Sequence, residues 1–192
     1  MAAYVGITGS PGTGKKTIAP PAASRLGLPS RSLNELALSF GLASKRTPEA
    51  EVDADELGRL VSLNVKGPCL LYGHLLPYSF RRGSLSRVVV LRCDPMVLGA
   101  RLARRGYDNA KVVENVEAEL IGVVAADSVK AFGPARVAEV DTTRVPVRTA
   151  AAEAARRLAS GRGSQRIDWV SRYGSADKLR SLLGSKTFSA RT

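Results

Sequence analysis

Gly9-Ser10-Pro11-Gly12-Thr13-Gly14-Lys15-Lys16-Thr17 follows directly on Tyr4-Val5-Gly6-Ile7-Thr8. The leading run is short, β-branched and aromatic and ends in glycine, as a buried parallel strand does ahead of a phosphate-binding loop. Helix signals resume at about Gly14 and run to Arg25, with Gly27 as a stop. Strand, glycine-rich loop and helix in that order make an anion site. Successive backbone N–H groups form a concave cradle, and the helix N-terminus adds its dipole. Gly9, Gly12, Thr13 and Gly14 bring the backbone close to phosphate, and Lys15 reaches the β/γ oxygens of a triphosphate. The next position of such a loop normally offers a hydroxyl to Mg²⁺. Here it is Lys16, which cannot ligate a cation. Thr17 has the hydroxyl but lies one helical step, about 100°, further round. The stretch predicts nucleotide binding and leaves metal handling open.

Working outward, Pro68–Tyr72, Val88–Cys93 and Arg136–Asp141 read as further buried strands. Between them run helical patterns at Leu33–Phe40, Asp55–Asn64, Pro95–Arg105, Ala110 to about Val129, and Pro146–Ala159. Asp94 before Pro95 is an N-cap followed by proline at the first helical position. Pro20 and Pro21 fall inside the first helix, where each removes a backbone bond at a cost of about 3 kcal/mol, so a kink or a short first segment is expected. Strands alternating with helices imply an α/β fold with a parallel sheet covered on both faces. The ligand crevice then lies outside the carboxyl ends of the strands, where the opening loop sits.

The 192 residues suffice for one hydrophobic core with a small lid. No run is long enough to cross a bilayer, and no basic segment leads into an apolar stretch at the start, so a cytoplasmic protein is expected. Cys69 and Cys93 sit in apolar runs and read as buried side chains rather than a disulfide or metal pair. The formal charge of +12 favours an anionic partner. From Arg156 onward nine basic residues face only Asp168 and Asp177, a local excess of +7. That excess reads either as an RNA-binding extension or as a solvated basic tail.

Two further places carry chemistry. The strand ending at Tyr72 leads into Gly73-His74, with no carboxylate between Val65 and Ser86 to hold a metal. His74 is the only histidine, and its place facing the loop suits positioning of phosphate or water. Arg101-Leu102-Ala103-Arg104-Arg105-Gly106-Tyr107 ends a helix. Its arginines fit a lid that closes on transferring phosphate, and equally the negative end of a helix dipole.

"GSPGTGKKT", "LNELA" (Leu33–Ala37), "YGH" (Tyr72–His74), "VVVLRCDPMVLGARLARRGYDNAKVVENVEAE" (Val88–Glu119) and "VDTT" (Val140–Thr143) occur in that order. Together they resemble the adenylate kinase isoenzyme six family, the CINAP-type ATPase/adenylate kinases of small-subunit ribosome biogenesis, and in particular its archaeal branch. The resemblance implies a phosphate-loop, nucleoside-monophosphate-kinase-like three-layer sandwich around a five-stranded parallel sheet. It spans residues 1–163, with an NMP-binding segment at about 32–53 and a short lid at about 104–114, followed by a basic helical extension and tail over 164–192. It implies ATP and AMP as substrates, with Lys15, His74 and Arg105 catalytic. Gly9, Gly12, Thr13, Gly14, Lys15, Lys16, Thr17 and Arg105 would contact ATP, and Asn34 and Glu35 the monophosphate. Mg²⁺, ribosomal protein uS11 and small-subunit rRNA are the implied cofactor and partners.

Three departures from the family pattern fall at the site. Lys16 replaces Thr or Ser, Tyr72 an acidic residue, and Leu38 an arginine. The first two remove both expected metal contacts. The expectation is therefore ATP:AMP phosphotransfer with ATPase activity, the alternative being a nucleotide-binding assembly factor with little turnover.

Overall fold

Five short runs pair into one all-parallel sheet in the computed structural model, which describes residues 4–43, 52–160, 166–175 and 178. β1 (Tyr4–Gly9), β2 (Ser30–Ser32), β3 (Cys69–Tyr72), β4 (Leu85–Arg92) and β5 (Val137–Asp141) take the order β2-β3-β1-β4-β5. β1 is flanked by β3 (Tyr4 opposite Cys69) and β4 (Val5 opposite Arg87), so the chain winds to opposite sides of it. That reversal opens a crevice at the carboxyl ends of β1, β3 and β4. The nucleotide loop begins there because it begins where β1 stops.

Alternation along the strands divides the core. Ile7, Leu70, Tyr72, Val89 and Leu91 meet α1 (Lys15–Arg25) and α8 (Val147–Ser160), where Ala19, Ala22 and Ala23 pack near Ala150, Ala151, Ala154 and Ala155. Cys69, Leu71, Leu85 and Val88 turn to the other face, with Leu33 of α2 (Leu33–Ser39), Leu57 and Val61 of α3 (Ala54–Asn64), Leu76 of α4 (Leu76–Ser79) and Phe132 of α7 (Val123–Phe132). A third cluster joins α5 (Pro95–Ala103), α6 (Asn109–Ile121) and α9 (Trp169–Tyr173) through Leu98, Leu102, Val112, Val116, Leu120 and Trp169. Among the described residues no helix is long and apolar enough to cross a membrane. Cys69 and Cys93 are buried and unpaired, Cys69 on β3 and Cys93 just beyond β4.

Three local readings are revised. The helix expected from Ala110 to Val129 is two helices, α6 and α7, because Gly122 between them takes φ 71° and closes α6 with its N–H on Ala118 and Glu119 carbonyls. A Cβ at Gly122 would meet the Arg92 guanidinium at 3.4 Å, so glycine there also makes room for a buried cation. Pro20 and Pro21 sit inside α1 without interrupting it. The carbonyls that lose their donors belong to Lys16 and Thr17, both exposed in the first turn, where water reaches them. The edge strand β2 and the one-turn α4 carry no apolar period and were not anticipated. The expected segment 32–53 is described except for 44–51, and the basic tail beyond Tyr173 lies almost wholly outside the described residues.

Candidate functional site

The loop between β1 and α1 is built to expose amides. Gly12 takes φ 87°, and a Cβ there would stand 2.6 Å from Leu98 Cδ1 and 3.1 Å from Leu102 Cδ2, so glycine lets the loop lie against α5. Gly14 caps α1 in the left-handed region with no side-chain cap bond. No side-chain cap competes with an anion for the amides of Lys15 and Lys16, while the Thr17 N–H donates to Gly14 O at 3.0 Å. Thr13 is fully buried, and its hydroxyl donates to the Ser10 carbonyl at 2.8 Å. Lys15 Nζ donates to the carbonyls of Gly9 (2.6 Å) and Ser10 (2.9 Å), folding over the loop where a phosphate would otherwise receive it. Enclosure by the loop lowers the Lys15 ammonium to about 8, with Glu119 pulling upward and Arg105 pushing further down.

Two clefts draw on residues where the loop enters α1, Gly14 and Thr17 in one, Lys15 and Lys16 in the other. The first, of about 170 Å³, is lined by Gly12, Thr13, Gly14, Thr17, Ile18, Arg101, Arg105 and Thr142, with Val145 and Val147 at its apolar end. Arg105 stands in the tight turn joining α5 to α6, where Arg105 N–H donates to Leu102 O and Gly106 N–H to Ala103 O. The second, of about 250 Å³, is lined by Lys15, Lys16, Ser32, Asn34, Glu35, Leu38, Tyr72, Gly73 and His74. Asn34 and Glu35 are held in the first turn of α2, whose N-cap Ser32 accepts the Glu35 N–H at 3.4 Å. His74 follows β3 directly; crowding round the ring and then the Lys15 charge lower its pKa, leaving a mainly neutral imidazole at pH 7. Tyr72 is core by its ring, and burial, then Glu35, raise its hydroxyl pKa against a contact with Ser32.

Every residue assigned to ATP, to the monophosphate or to catalysis thus lines one of the two clefts, except Gly9, whose carbonyl accepts from Lys15, while Arg104 of the lid run lines neither. The hundred-degree step separates the unusual pair. Thr17 turns to the first cleft and Lys16 to the second. A directly ligated Mg²⁺ does not fit these residues. Lys16 is a cation, Tyr72 a protonated phenol, and the nearby buried carboxylate of Glu119 is committed on both oxygens. Among the described residues no cluster of three His, Cys, Asp or Glu could hold a metal.

Sequence reasoning passed over Arg101 and Thr142 as site residues. Arg101 Nη2 donates to Thr142 O at 2.9 Å, and the Thr142 hydroxyl lies 2.9 Å from both Thr13 O and Arg92 O. They tie the ends of β4, β5 and α5 to the loop. Their signal was the "VDTT" run, noted but given no role, and Arg101 itself, three residues before the lid and named only among the arginines that fit one.

Known proteins resemble this chain in sequence and in shape. Residues 5–122 match the family described as "AAA domain". A Thermococcus onnurineus protein bearing the name "Putative adenylate kinase" is 36% identical over 172 residues, covering 88% of this chain and 92% of its own. A Methanothermobacter thermautotrophicus protein of the same name is 41% identical over 144 residues, covering 71% and 78%. In shape, a shikimate kinase from Bacteroides thetaiotaomicron matches 81% of this chain and 95% of its own, with TM-score 0.54 at 18% identity.

Proposed function

The chain belongs to one family with these archaeal adenylate kinase relatives, and from that premise we propose that it moves the γ-phosphoryl group of ATP onto AMP, giving two ADP. It is a phosphoryl-transferring enzyme of the kinase type. The observation that carries the finer reading is the pair of clefts lined from the junction of loop and α1, one with Gly14, Thr17, Arg101 and Arg105, the other with Lys15, Lys16, Asn34 and Glu35. ATP lies in the first with its base toward Val145 and Val147. An AMP phosphate oxygen in the second forms the new bond to the γ phosphorus as the bond to the β–γ bridging oxygen breaks. Such transfer is mostly positioning and charge neutralisation, supplied here by Lys15, Arg105 and the loop amides. Where water takes the acceptor's place, neutral His74 can accept its proton, which gives ATP hydrolysis.

Lys16 and Tyr72 favour a second reading, a nucleotide-dependent assembly factor with little turnover. On either reading the resemblance and the +12 charge support action on small-subunit rRNA beside uS11, in the cytoplasm. The deciding measurement is ADP formation from ATP with and without AMP, over a range of Mg²⁺, beside Lys15→Ala. AMP-dependent turnover that falls at least about a hundredfold in Lys15→Ala is expected, since removing one such charge-stabilising donor costs on the order of 10²–10³ in rate. ATP binding without turnover would replace the kinase by the assembly factor.

A further inference from the structure

The buried carboxylate Glu119 joins three distant parts of the chain. Its Oε2 accepts the Ser10 hydroxyl of the loop at 2.6 Å. Its Oε1 accepts Arg92 Nε at 2.8 Å, the Cys93 N–H at 3.0 Å and the Trp169 indole N–H at 3.3 Å. The Arg92 guanidinium also donates to Glu139, to the Ile167 carbonyl (3.2 Å) and to the Glu119 carbonyl (2.9 Å). Four residues after Trp169, the Tyr173 hydroxyl donates to Asp94 Oδ2 at 2.6 Å, and Arg172 pairs with the same oxygen at 3.1 Å. Asp94 Oδ1 meanwhile caps α5 through the N–H groups of Met96 and Val97. The segment Ile167–Tyr173 therefore closes two polar shells, one behind the nucleotide loop and one at the head of the helix that leads to Arg101 and Arg105.

We propose that Glu119 is a positioning residue that couples the occupancy of the loop to the docking of α9, with Trp169 as the group that registers it. The inference rests on the nucleotide reading of the loop. Lys15 now holds the carbonyls of Gly9 and Ser10, and a bound phosphate takes that ammonium away from them. Ser10 is then free to shift while its hydroxyl remains on Glu119, and the same carboxylate accepts the Trp169 indole. A change at the loop thus reaches the indole through one shared acceptor. Coupling of this kind is reciprocal, so loosening α9 weakens nucleotide binding by the factor with which nucleotide tightens α9.

Trp169 is the only tryptophan in the protein, so its emission reads this site alone. The test titrates the full-length protein with ATP, following Trp169 emission and calorimetric heat together. Emission is expected to change with the midpoint seen by heat. Ser10→Ala, examined at an ATP concentration that saturates it by heat, is expected to lose at least about half of the change, and Tyr173→Phe to weaken ATP binding by about fivefold, the low end of ordinary coupling. Heat without an emission change would overturn the proposal, as would a full emission change in Ser10→Ala. Neither heat nor emission would overturn the nucleotide reading itself, and this inference with it.

Discussion

The two clefts beside the junction of loop and α1 are made differently. The first is backed by groups that are already satisfied: Thr142 joins Thr13 to Arg92, Arg101 braces Thr142, and Glu119 holds Ser10. These contacts are buried and come from strand ends and long helices. The second is lined by the first turn of α1, the end of β3 and a seven-residue helix after an edge strand, with Lys16, Asn34, Glu35 and His74 exposed. On the proposed reading, a site that must hold a triphosphate identically in every cycle gains from the first construction. An acceptor site could be altered one side chain at a time, and the three residues set apart by the sequence resemblance, Lys16, Leu38 and Tyr72, all line this second cleft.

The contrast breaks most visibly at Arg92, whose side chain is 3% exposed between Glu119 (1%) and Glu139 (8%). Burial by itself would lower the guanidinium pKa, but the two carboxylates outweigh it and raise it. Arg92→Leu leaves two buried carboxylates with no cation between them. Removing one partner of a buried pair costs about 3–5 kcal/mol, or roughly 6–20 °C in Tm at this chain length. The matching change on the other side, Glu35→Ala, is an exposed substitution expected within about 0.5 kcal/mol. Thermal unfolding of both proteins checks the pair; equal losses would erase the distinction between the clefts.

A smaller effect belongs to Lys15, which lines the second cleft and reaches back over the loop to the carbonyls of Gly9 and Ser10. Its folded pKa of about 8 lies below the ordinary 10.5, so between those values the unfolded chain holds a proton that the folded chain has released. Stability therefore gains with rising pH across that window, as the cost of enclosing the charge is relieved. Nucleotide affinity moves the opposite way, because phosphate needs the ammonium. ATP Kd is expected to rise by up to roughly tenfold per pH unit above about 8, with proton uptake on binding. Calorimetry in buffers of different ionisation heat measures both. A flat profile through pH 9.5 would mean that phosphate is held by the amides with no help from Lys15.

How far the sequence could be read follows the same division. The loop was legible because its chemistry is local: glycines at fixed spacing, a strand before and a helix after. Asp94-Pro95 was legible for the same reason, and its carboxylate does cap α5. Glu119 was not, because an acid in an amphipathic helix looks like a solvated one until its partners are known, and Ser10 lies 109 residues away. β2 was missed because Ser30-Arg31-Ser32 has no apolar period and pairs on one edge only. The break at Gly122 was available, since a glycine closing a helix is a local signal, but the requirement that fixes it, space for Arg92, is not.

Lys16 sharpens the comparison most finely. Lys16 lines the second cleft with Asn34, Glu35 and His74, while Thr17, one residue on, lines the first. Lys15 is drawn onto the loop carbonyls, which leaves Lys16 as the cation best placed for an acceptor's phosphate. Lys16→Met keeps the length of the side chain and removes the charge. One charge-assisted contact at a partly solvated site is worth about 1.4 kcal/mol, so the KM for AMP at saturating ATP should rise roughly tenfold. The ATP Kd, measured without AMP, should change by a smaller factor. If instead the ATP Kd carries the larger change, Lys16 acts on the β/γ oxygens, and the division of the site between Lys16 and Thr17 is drawn in the wrong place. If AMP dependence is absent from the unaltered protein, the acceptor cleft is not an AMP site, and Lys16 should then be tested against other phosphorylated acceptors by the same split of KM from Kd.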